Sequence, residues 1–252
     1  MSDEEKDELR QNLISRGYTS LLEYDELAAI GITLFGTIEA ASLFGLKPNE
    51  LFERNIRICA RTGIEAVYDA KAVTYGLLLS DFIIKHVPDK QVVVIDPFLG
   101  SGNFLYSMAK YTKGYAAFGF DNSHPVYELV VANYAKLNFN AHVFFDDYAN
   151  VSERVRPFDR TNLKNEMFVI GIAPPWGNGF DFKTGLNLNK TTPPCKHLIE
   201  TYTKQFADLP IVFVIPLPEK VHEESLTELL SMASFYQIFY KGTRTAVLIL
   251  TP

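Results

Sequence analysis

The sequence predicts an α/β fold built on a mostly parallel β-sheet, and three observations lead to this prediction. Residues 92–95 (Val-Val-Val-Ile) are an unbroken run of β-branched apolar residues, which is typical of a strand buried on both faces. A turn with two glycines, Gly100 and Gly102, follows this strand, and an apolar helical segment over 104–111 comes directly after it. Further apolar runs alternate with helical patterns along the chain. Strand, glycine turn and helix together predict a ligand pocket at the carboxyl end of the strand.

The first 65 residues predict a helical extension that precedes the sheet. Apolar residues at spacings of three and four predict helices over 8–14, 21–35 and 38–44, and Asn49 is a candidate N-cap for a helix over 50–59. No catalytic motif lies in this part of the chain. We expect the extension, residues 1–65, to act as a packing cap or an interaction surface for a protein partner, with a substrate-selecting cover as the alternative.

The next elements predict the first half of the sheet. Asp69 is a candidate N-cap for a helix over 70–85, and strands are predicted over 115–120 and 141–145. Asp121 directly follows the strand over 115–120 and lies about 20 residues beyond the glycines, which is the spacing at which an acid reaches ribose hydroxyls. A carboxylate accepts hydrogen bonds from two vicinal hydroxyls at once, whereas the simpler alternative for this residue is a helix cap. Two acids, Asp146 and Asp147, close the third strand.

The second half of the chain predicts the remaining strands and an unusual loop. The predicted elements are a polar crossover over 151–166, a buried strand over 167–172, a polar loop over 177–194, a helix over 195–206, a strand over 211–215, a helix over 225–232, and a hairpin of strands over 235–240 and 245–250. The loop after the buried strand begins Ala173-Pro174-Pro175-Trp176. The long polar loop suits a mobile lid, or irregular surface, and its Asp181 is a candidate hydrogen-bond acceptor.

The composition limits the classes of protein that remain. Of 252 residues, 47% are hydrophobic and 21% charged, so a full core is expected. No apolar run reaches the ~18 residues of a membrane span, and the acidic residues 1–8 do not resemble a signal peptide. Cys59, Cys195 and the five histidines match no metal or disulfide pattern, so we expect no metal site and the cytoplasm or another reducing compartment. The net charge of −6 disfavours, without excluding, a long RNA or DNA substrate.

The glycine turn narrows the choice of ligand. A dinucleotide fingerprint needs a third glycine where this chain has Leu105, and the carboxylate of Asp96 would repel a pyrophosphate. An acid in that place suits a ligand with a cationic amino acid end. The stretch Asp96-Pro-Phe-Leu-Gly-Ser-Gly102 resembles the class I methyltransferases that use S-adenosylmethionine (SAM), and most of all their amino-group-methylating branch. The resemblance implies a Rossmann-like, seven-stranded, mostly parallel sheet with an antiparallel C-terminal hairpin over residues 66–252, and SAM as the cofactor.

The same resemblance implies which residues hold the cofactor. Asp96, Gly100, Ser101 and Gly102 would hold the methionine end of SAM. Asp121 would hold the ribose, and Asp147, which fits the acid-aromatic pattern better than Asp146, would contact the adenine amino group. The full set of cofactor-binding candidates is Asp96, Pro97, Phe98, Gly100, Ser101, Gly102, Asp121, Asn122, Asp147 and Ala173.

The Pro-Pro-Trp loop resembles the acceptor motif of amino-group methyltransferases, and its Pro-Pro-Trp-Gly form is close to that of trimethylguanosine synthase. Pro174, Pro175 and Trp176 would present an exocyclic amine of a nucleobase or another planar amine, with the indole stacked on its ring. The chain departs from the pattern at Ala173, where the family has a polar acceptor. This leaves two alternatives open. One is a non-catalytic SAM-binding or scaffold homologue that acts as a partner subunit, and the other is a methyltransferase for a small-molecule or protein acceptor.

Overall fold

The computed structural model describes residues 2–156, 165–207, 209–241 and 243–251, and from residue 240 onwards it describes the backbone alone. The helices are α1 (Asp3–Ser15), α2 (Tyr24–Phe35), α3 (Pro48–Glu53), α4 (Ala60–Ile64), α5 (Asp69–His86), α6 (Asn103–Thr112), α7 (His124–Leu137), α8 (Val151–Val155), α9 (Cys195–Gln205) and α10 (Glu223–Leu230). The strands are β1 (Gln91–Asp96), β2 (Ala116–Asp121), β3 (His142–Phe145), β4 (Glu166–Gly171), β5 (Phe180–Asp181), β6 (Gly185–Leu186), β7 (Ile211–Pro216), β8 (Phe235–Lys241) and β9 (Thr243–Thr251).

The main sheet has the strand order β3-β2-β1-β4-β7-β9-β8, and β5 pairs with β6 in a separate small sheet. The five neighbouring strands β3, β2, β1, β4 and β7 are parallel to one another, whereas β9 is antiparallel to both of its neighbours, β7 and β8. These parallel strands with their helices confirm the predicted Rossmann-like α/β fold. The chain winds outwards in opposite directions from β1 and β4, so the crevice for a ligand is expected outside the carboxyl ends of these two strands.

Strand β1 owes its central place to its unbroken apolar run. Val92 and Val94 face the core shared with α5, α6 and α7, whereas Val93 and Ile95 face the core shared with α8, α9 and α10. Alternate side chains of a strand point to opposite faces, so an apolar residue at every position is what a strand covered on both sides requires.

The predicted helical extension packs into the same core as the sheet. Ile30, Leu43 and Leu51 of the extension belong to one hydrophobic cluster with Tyr75 of α5 and Val94 of β1. The boundary near residue 65 therefore does not separate two hydrophobic cores. No helix in the described part of the chain is long and apolar enough to cross a membrane.

Four details of the extension and of α5 differ from the prediction, and one of them is that the helix predicted to reach residue 59 ends at Glu53. Residues 38–44 form only a short 3-10 helix, Ile38–Ala41, because Ser42 is extended (φ −70°, ψ 144°); the left-handed backbone angles of Phe44 and Gly45 (φ 61° and 79°) then prevent the helix from continuing. Helix α3 is capped at Lys47 rather than Asn49, because Pro48 has a fixed φ that suits the first helical position. The N-cap of α5 is Tyr68 rather than Asp69.

The crossover and the hairpin are only partly described. The prediction of a crossover with little core is wrong at its start, because Val151 and Val155 of α8 are buried against the sheet. Residues 157–164 of the crossover and residue 242 in the hairpin turn lie outside the described residues.

Candidate functional site

The predicted site residues meet at one edge of the sheet. Asp96 ends β1 and Asp121 ends β2, while Asp147 follows β3 and the Pro-Pro-Trp loop follows β4. These strands are parallel neighbours, so their carboxyl ends lie side by side. The structure therefore brings together four segments that are up to about 80 residues apart in the sequence.

The two glycines of the turn serve different purposes. Gly102 has φ 83°, and a Cβ at this position would lie 2.7 Å from the hydroxyl oxygen of Tyr134, which donates a 2.7 Å hydrogen bond to the Gly102 carbonyl. Gly100 has φ 50°, but a Cβ there would meet nothing closer than 3.8 Å. Gly102 is thus required by packing as well as by conformation, whereas the backbone at Gly100 is open to an approaching ligand.

Asp96 is the most unusual group of the site. Its residue is 1% exposed, its Oδ1 accepts a 3.1 Å hydrogen bond from the Phe98 N–H, and its Oδ2 has no partner among the described residues. Burial, with a smaller contribution from the nearby Asp121 carboxylate, raises the pKa of Asp96 from 3.8 to about 7. A buried carboxylate oxygen without a donor is costly, and a cationic ligand would remove that cost.

Asp121 links the glycine turn to the next helix. Its Oδ2 accepts the Gly100 N–H at 3.0 Å and its Oδ1 accepts the Ser123 N–H at 2.9 Å. Burial raises the pKa of Asp121 above its ordinary value, and these two hydrogen bonds oppose the change. The N-cap of α7 is Ser123, so Asp121 is not itself the cap. Each carboxylate oxygen keeps a lone pair, so Asp121 is still able to accept hydroxyl donors.

The two acids after β3, Asp146 and Asp147, differ in their hydrogen bonds. Asp146 accepts from Asn150 Nδ2 and Arg154 Nε, both at 2.7 Å, and these bonds, the Asn150 bond most of all, lower its pKa. Asp147 accepts the Ala149 N–H at 3.0 Å through Oδ1, and its Oδ2 is 3.4 Å from Asn122 Nδ2. Asp146 is therefore used within the fold by two side-chain donors, whereas Asp147 caps the turn after it through Oδ1 and keeps only the long contact with Asn122 at Oδ2.

An aromatic pair lies beside these acids. The rings of Phe98 and Tyr148 are 5.5 Å apart between centroids and tilted by 30°. The Tyr148 carbonyl accepts a 3.0 Å hydrogen bond from the hydroxyl of Tyr202, which fixes this segment on α9. Apolar ring surface next to Asp147 suits a planar heterocycle such as a purine.

The Pro-Pro-Trp loop forms the other side of the site. Ala173 packs against the core on the side of α5 and α6. The Pro175 carbonyl accepts the Thr192 N–H at 3.2 Å, whereas no described backbone N–H reaches the Pro174 carbonyl. Trp176 is half-buried, and its ring lies 4.9 Å from that of Phe180. The Pro174 carbonyl and the indole of Trp176 thus both lie in the loop that follows β4.

The loop over 177–194 is built more firmly than a mobile lid. Its β5–β6 hairpin is docked on the segment after β7, where the Leu186 N–H donates to the Lys220 carbonyl at 2.9 Å. A Cβ at Gly185 would lie 2.5 Å from the Lys220 backbone, so contact is close. Asp181 closes the hairpin by accepting the Lys183 and Thr184 N–H groups at 2.8 and 2.7 Å. Both bonds use Oδ1, so Oδ2 stays available, and the role of Asp181 as a substitute acceptor for the side chain missing at Ala173 stays a prediction.

Sequence reasoning missed the residue that joins the glycine turn to the extension. Asn103 is fully buried at the start of α6, and its Oδ1 accepts the Phe44 N–H while its Nδ2 donates to the Val67 carbonyl, both at 2.7 Å. Asp69 strengthens the same junction by accepting the Gly45 N–H at 2.8 Å. The only sequence signal is a polar residue directly after the glycine turn of an otherwise apolar helix.

Comparison with solved structures finds distant neighbours. An rRNA methylase from Streptococcus thermophilus is 14% identical with a TM-score of 0.41, covering 69% of this chain and 93% of that one. TrmK of M. capricolum, solved with S-adenosylhomocysteine, is 8% identical with a TM-score of 0.39 over 68% and 66%. A precorrin 8w decarboxylase from Methanobacterium thermoautotrophicum is 10% identical with a TM-score of 0.40 over 70% and 90%.

No family model matches the chain, and no curated protein matches it. Because the TM-scores are below 0.5, the structural neighbours do not indicate the function of this protein. Any inference about function therefore depends on the residues of the site.

Proposed function

We propose that the protein is a SAM-dependent methyltransferase that acts on an exocyclic amine of a nucleobase or on another planar amine. The observation that carries this proposal is the buried Oδ2 of Asp96, which has no partner at the end of β1 beside the open backbone of Gly100. A ligand that ends there needs a cationic group. It also needs hydroxyls for Asp121 and a planar ring for the Phe98–Tyr148 pair.

SAM meets all three needs with its ammonium, its ribose diol and its adenine. Asp96, with Gly100, Ser101 and Gly102, would hold the methionine end. Pro97 and Phe98 would line it, Asp121 with Asn122 would hold the ribose, and Asp147 would accept the adenine amino group. When bound, SAM supplies an activated methyl group with its own leaving group.

The protein would contribute to the reaction by positioning the acceptor amine against the methyl group of SAM. Trp176 would stack on the acceptor ring, and the free carbonyl of Pro174 would accept one N–H of the amine so that the nitrogen lone pair points at the methyl group. Pro175 stiffens the loop by its hydrogen bond to Thr192. Ala173 provides no side-chain acceptor, and the loss of one hydrogen bond costs about 1–3 kcal/mol, which weakens such an enzyme without abolishing it.

A second candidate function is that of a non-catalytic SAM-binding or scaffold subunit, and Ala173 is the observation that favours it. A small-molecule or protein acceptor is a further alternative within the methyltransferase class. We also propose a protein partner for the N-terminal helices and a cytoplasmic or other reducing compartment, since Cys59 and Cys195 are both buried and unpaired.

Isothermal titration calorimetry with SAM and S-adenosylhomocysteine tests the cofactor. The wild type should bind both 1:1, and Asp121→Ala should lose at least roughly tenfold in affinity because charge-assisted bonds to the ribose disappear. Asp181→Ala is the matched control, since this exposed carboxylate closes the β5–β6 hairpin and is not among the proposed cofactor-binding residues. Circular dichroism melts check that each variant is folded. Tighter binding of NAD than of SAM would show the assignment to be wrong.

A further inference from the structure

The N-terminal helix reaches the aromatic side of the site through Arg10. The guanidinium carbon of Arg10 lies 5.6 Å from the centroid of the Phe180 ring, and this ring lies 4.9 Å from that of Trp176. Arg10 forms no ion pair with a carboxylate in the described part of the chain. A guanidinium, a phenyl ring and an indole thus follow one another at the mouth of the acceptor loop.

The position of Arg10 is fixed by its helix. Leu13 of α1 is buried in the core, and Arg16 at the end of α1 forms an ion pair with Glu26 and donates to the Leu21 carbonyl at 3.1 Å. At the other end, Ser2 and Glu5 cap the helix reciprocally. Arg10 is therefore held over Phe180 by anchors on both sides of it.

The Arg10 guanidinium over the Phe180 ring is suited to an anion. A contact with a ring face does not use the N–H donors of the guanidinium, so these donors stay available to form paired hydrogen bonds with phosphate oxygens. A phosphate joined through a ribose to a base that stacks on Trp176 would reach a guanidinium one aromatic ring away. A neutral planar amine would leave these donors unused.

We propose that Arg10 binds a phosphate group of the acceptor, and that the acceptor is accordingly a nucleotide, either a mononucleotide or a short oligonucleotide. This inference rests on the proposed function. Acidic residues precede Arg10 along α1, and they favour a short anion over a long one, because successive phosphates that extend in that direction would meet their carboxylates; these residues are Asp3, Glu4, Glu5, Asp7 and Glu8.

The test uses Trp176, which is the sole tryptophan of the chain, as its probe. The full-length protein, saturated with S-adenosylhomocysteine, is titrated with adenosine, AMP, guanosine, GMP and the trinucleotides ApApA and GpGpG. At least one nucleotide should quench Trp176 and bind about tenfold more tightly than its nucleoside, since a bidentate charge-assisted contact is gained. Raising KCl from 50 to 200 mM should weaken only the phosphorylated ligands.

Variants assign the phosphate contact. Arg10→Gln, which keeps most of the side-chain length, should reduce nucleotide affinity about tenfold, to that of the nucleoside, and leave the nucleoside affinity unchanged. Arg10→Lys should retain part of the difference. Arg54→Ala, at an exposed position after α3, is the matched control and should change neither. Stronger binding of a trinucleotide than of a mononucleotide would identify a phosphodiester source, and the reverse a free nucleotide.

Equal affinity for nucleosides and nucleotides, or an Arg10→Gln variant that binds nucleotides as well as the wild type, would overturn the phosphate assignment. So would the absence of any quenching of Trp176 by all six ligands. The affinity for SAM is measured separately by calorimetry and does not involve Arg10. A failure here with SAM still bound therefore refutes the phosphate contact and leaves the cofactor assignment standing.

Discussion

At the scale of single residues, Asp96 shows a cost that the fold carries for its ligand. Burial raises its pKa from 3.8 to about 7, so the folded protein binds this proton more tightly than the unfolded chain does. The stabilisation that the proton provides is complete below the unfolded pKa of 3.8 and is lost as pH rises through about 7. Above that pH the protein holds a buried, unpartnered negative charge, which a ligand cation would neutralise.

Asp96→Asn removes this titration and should stabilise the free protein increasingly as pH rises. From pH 5 to pH 8 the gain over wild type should grow by about 2–3 kcal/mol, at 1.36 kcal/mol for each pKa unit. Urea unfolding of both proteins at the two pH values measures it. The same variant should bind SAM less tightly, because the neutral amide does not attract an ammonium. A gain in stability that is independent of pH would contradict this account of Asp96.

At the scale of elements, the local patterns were the predictable part. The β-branched run of β1, the glycine turn and α6 are determined by neighbouring residues, and the sequence placed them well. The carboxylates Asp96 and Asp121 were found for the same reason, since strand ends locate them. The bonds of Asn103 were not predictable, because they join Phe44 and Val67 from 59 and 36 residues away. The docking of the β5–β6 hairpin was likewise not predictable, because it depends on the Lys220 carbonyl, 34 residues from Leu186.

Asn103 should be the residue whose loss most separates the glycine turn from the extension. Asn103→Leu leaves the buried Phe44 N–H and the half-buried Val67 carbonyl without partners, and a buried group of this kind costs about 1–3 kcal/mol. The free energy of unfolding should therefore fall by about 2–4 kcal/mol in urea denaturation. Asn49→Ala, at an exposed position on α3, is the control and should change it by less than ~0.5 kcal/mol. An Asn103→Leu variant with the same free energy of unfolding as the wild type would mean that this junction does not stabilise the fold.

At the scale of the whole molecule, the extension and the sheet domain share one hydrophobic core, so we expect them to unfold together. The predicted division near residue 65 follows a real change in pattern, from helices alone to alternating strands and helices. Hydrogen bonds cross that division. Asn133 of α7 accepts the Arg57 N–H through Oδ1 at 3.2 Å and donates from Nδ2 to the Arg57 carbonyl at 2.7 Å. Side chains of the extension complete the core on the α5, α6 and α7 face of the sheet. A single sequence shows which segments are apolar but not which of them meet.

Two truncations distinguish this arrangement from an independent sheet domain. Deletion of residues 1–60 removes buried side chains such as Ile30, Leu43 and Leu51, and exposes the apolar face that they cover, so the remainder should lose its cooperative thermal transition. Deletion of residues 1–15 removes only α1, and it should keep a cooperative transition and SAM binding while it loses the Arg10 contact. Circular dichroism melts and calorimetry with SAM measure both. If the fragment 61–252, which the first deletion leaves, melts cooperatively and binds SAM like the full chain, the extension is a separate module.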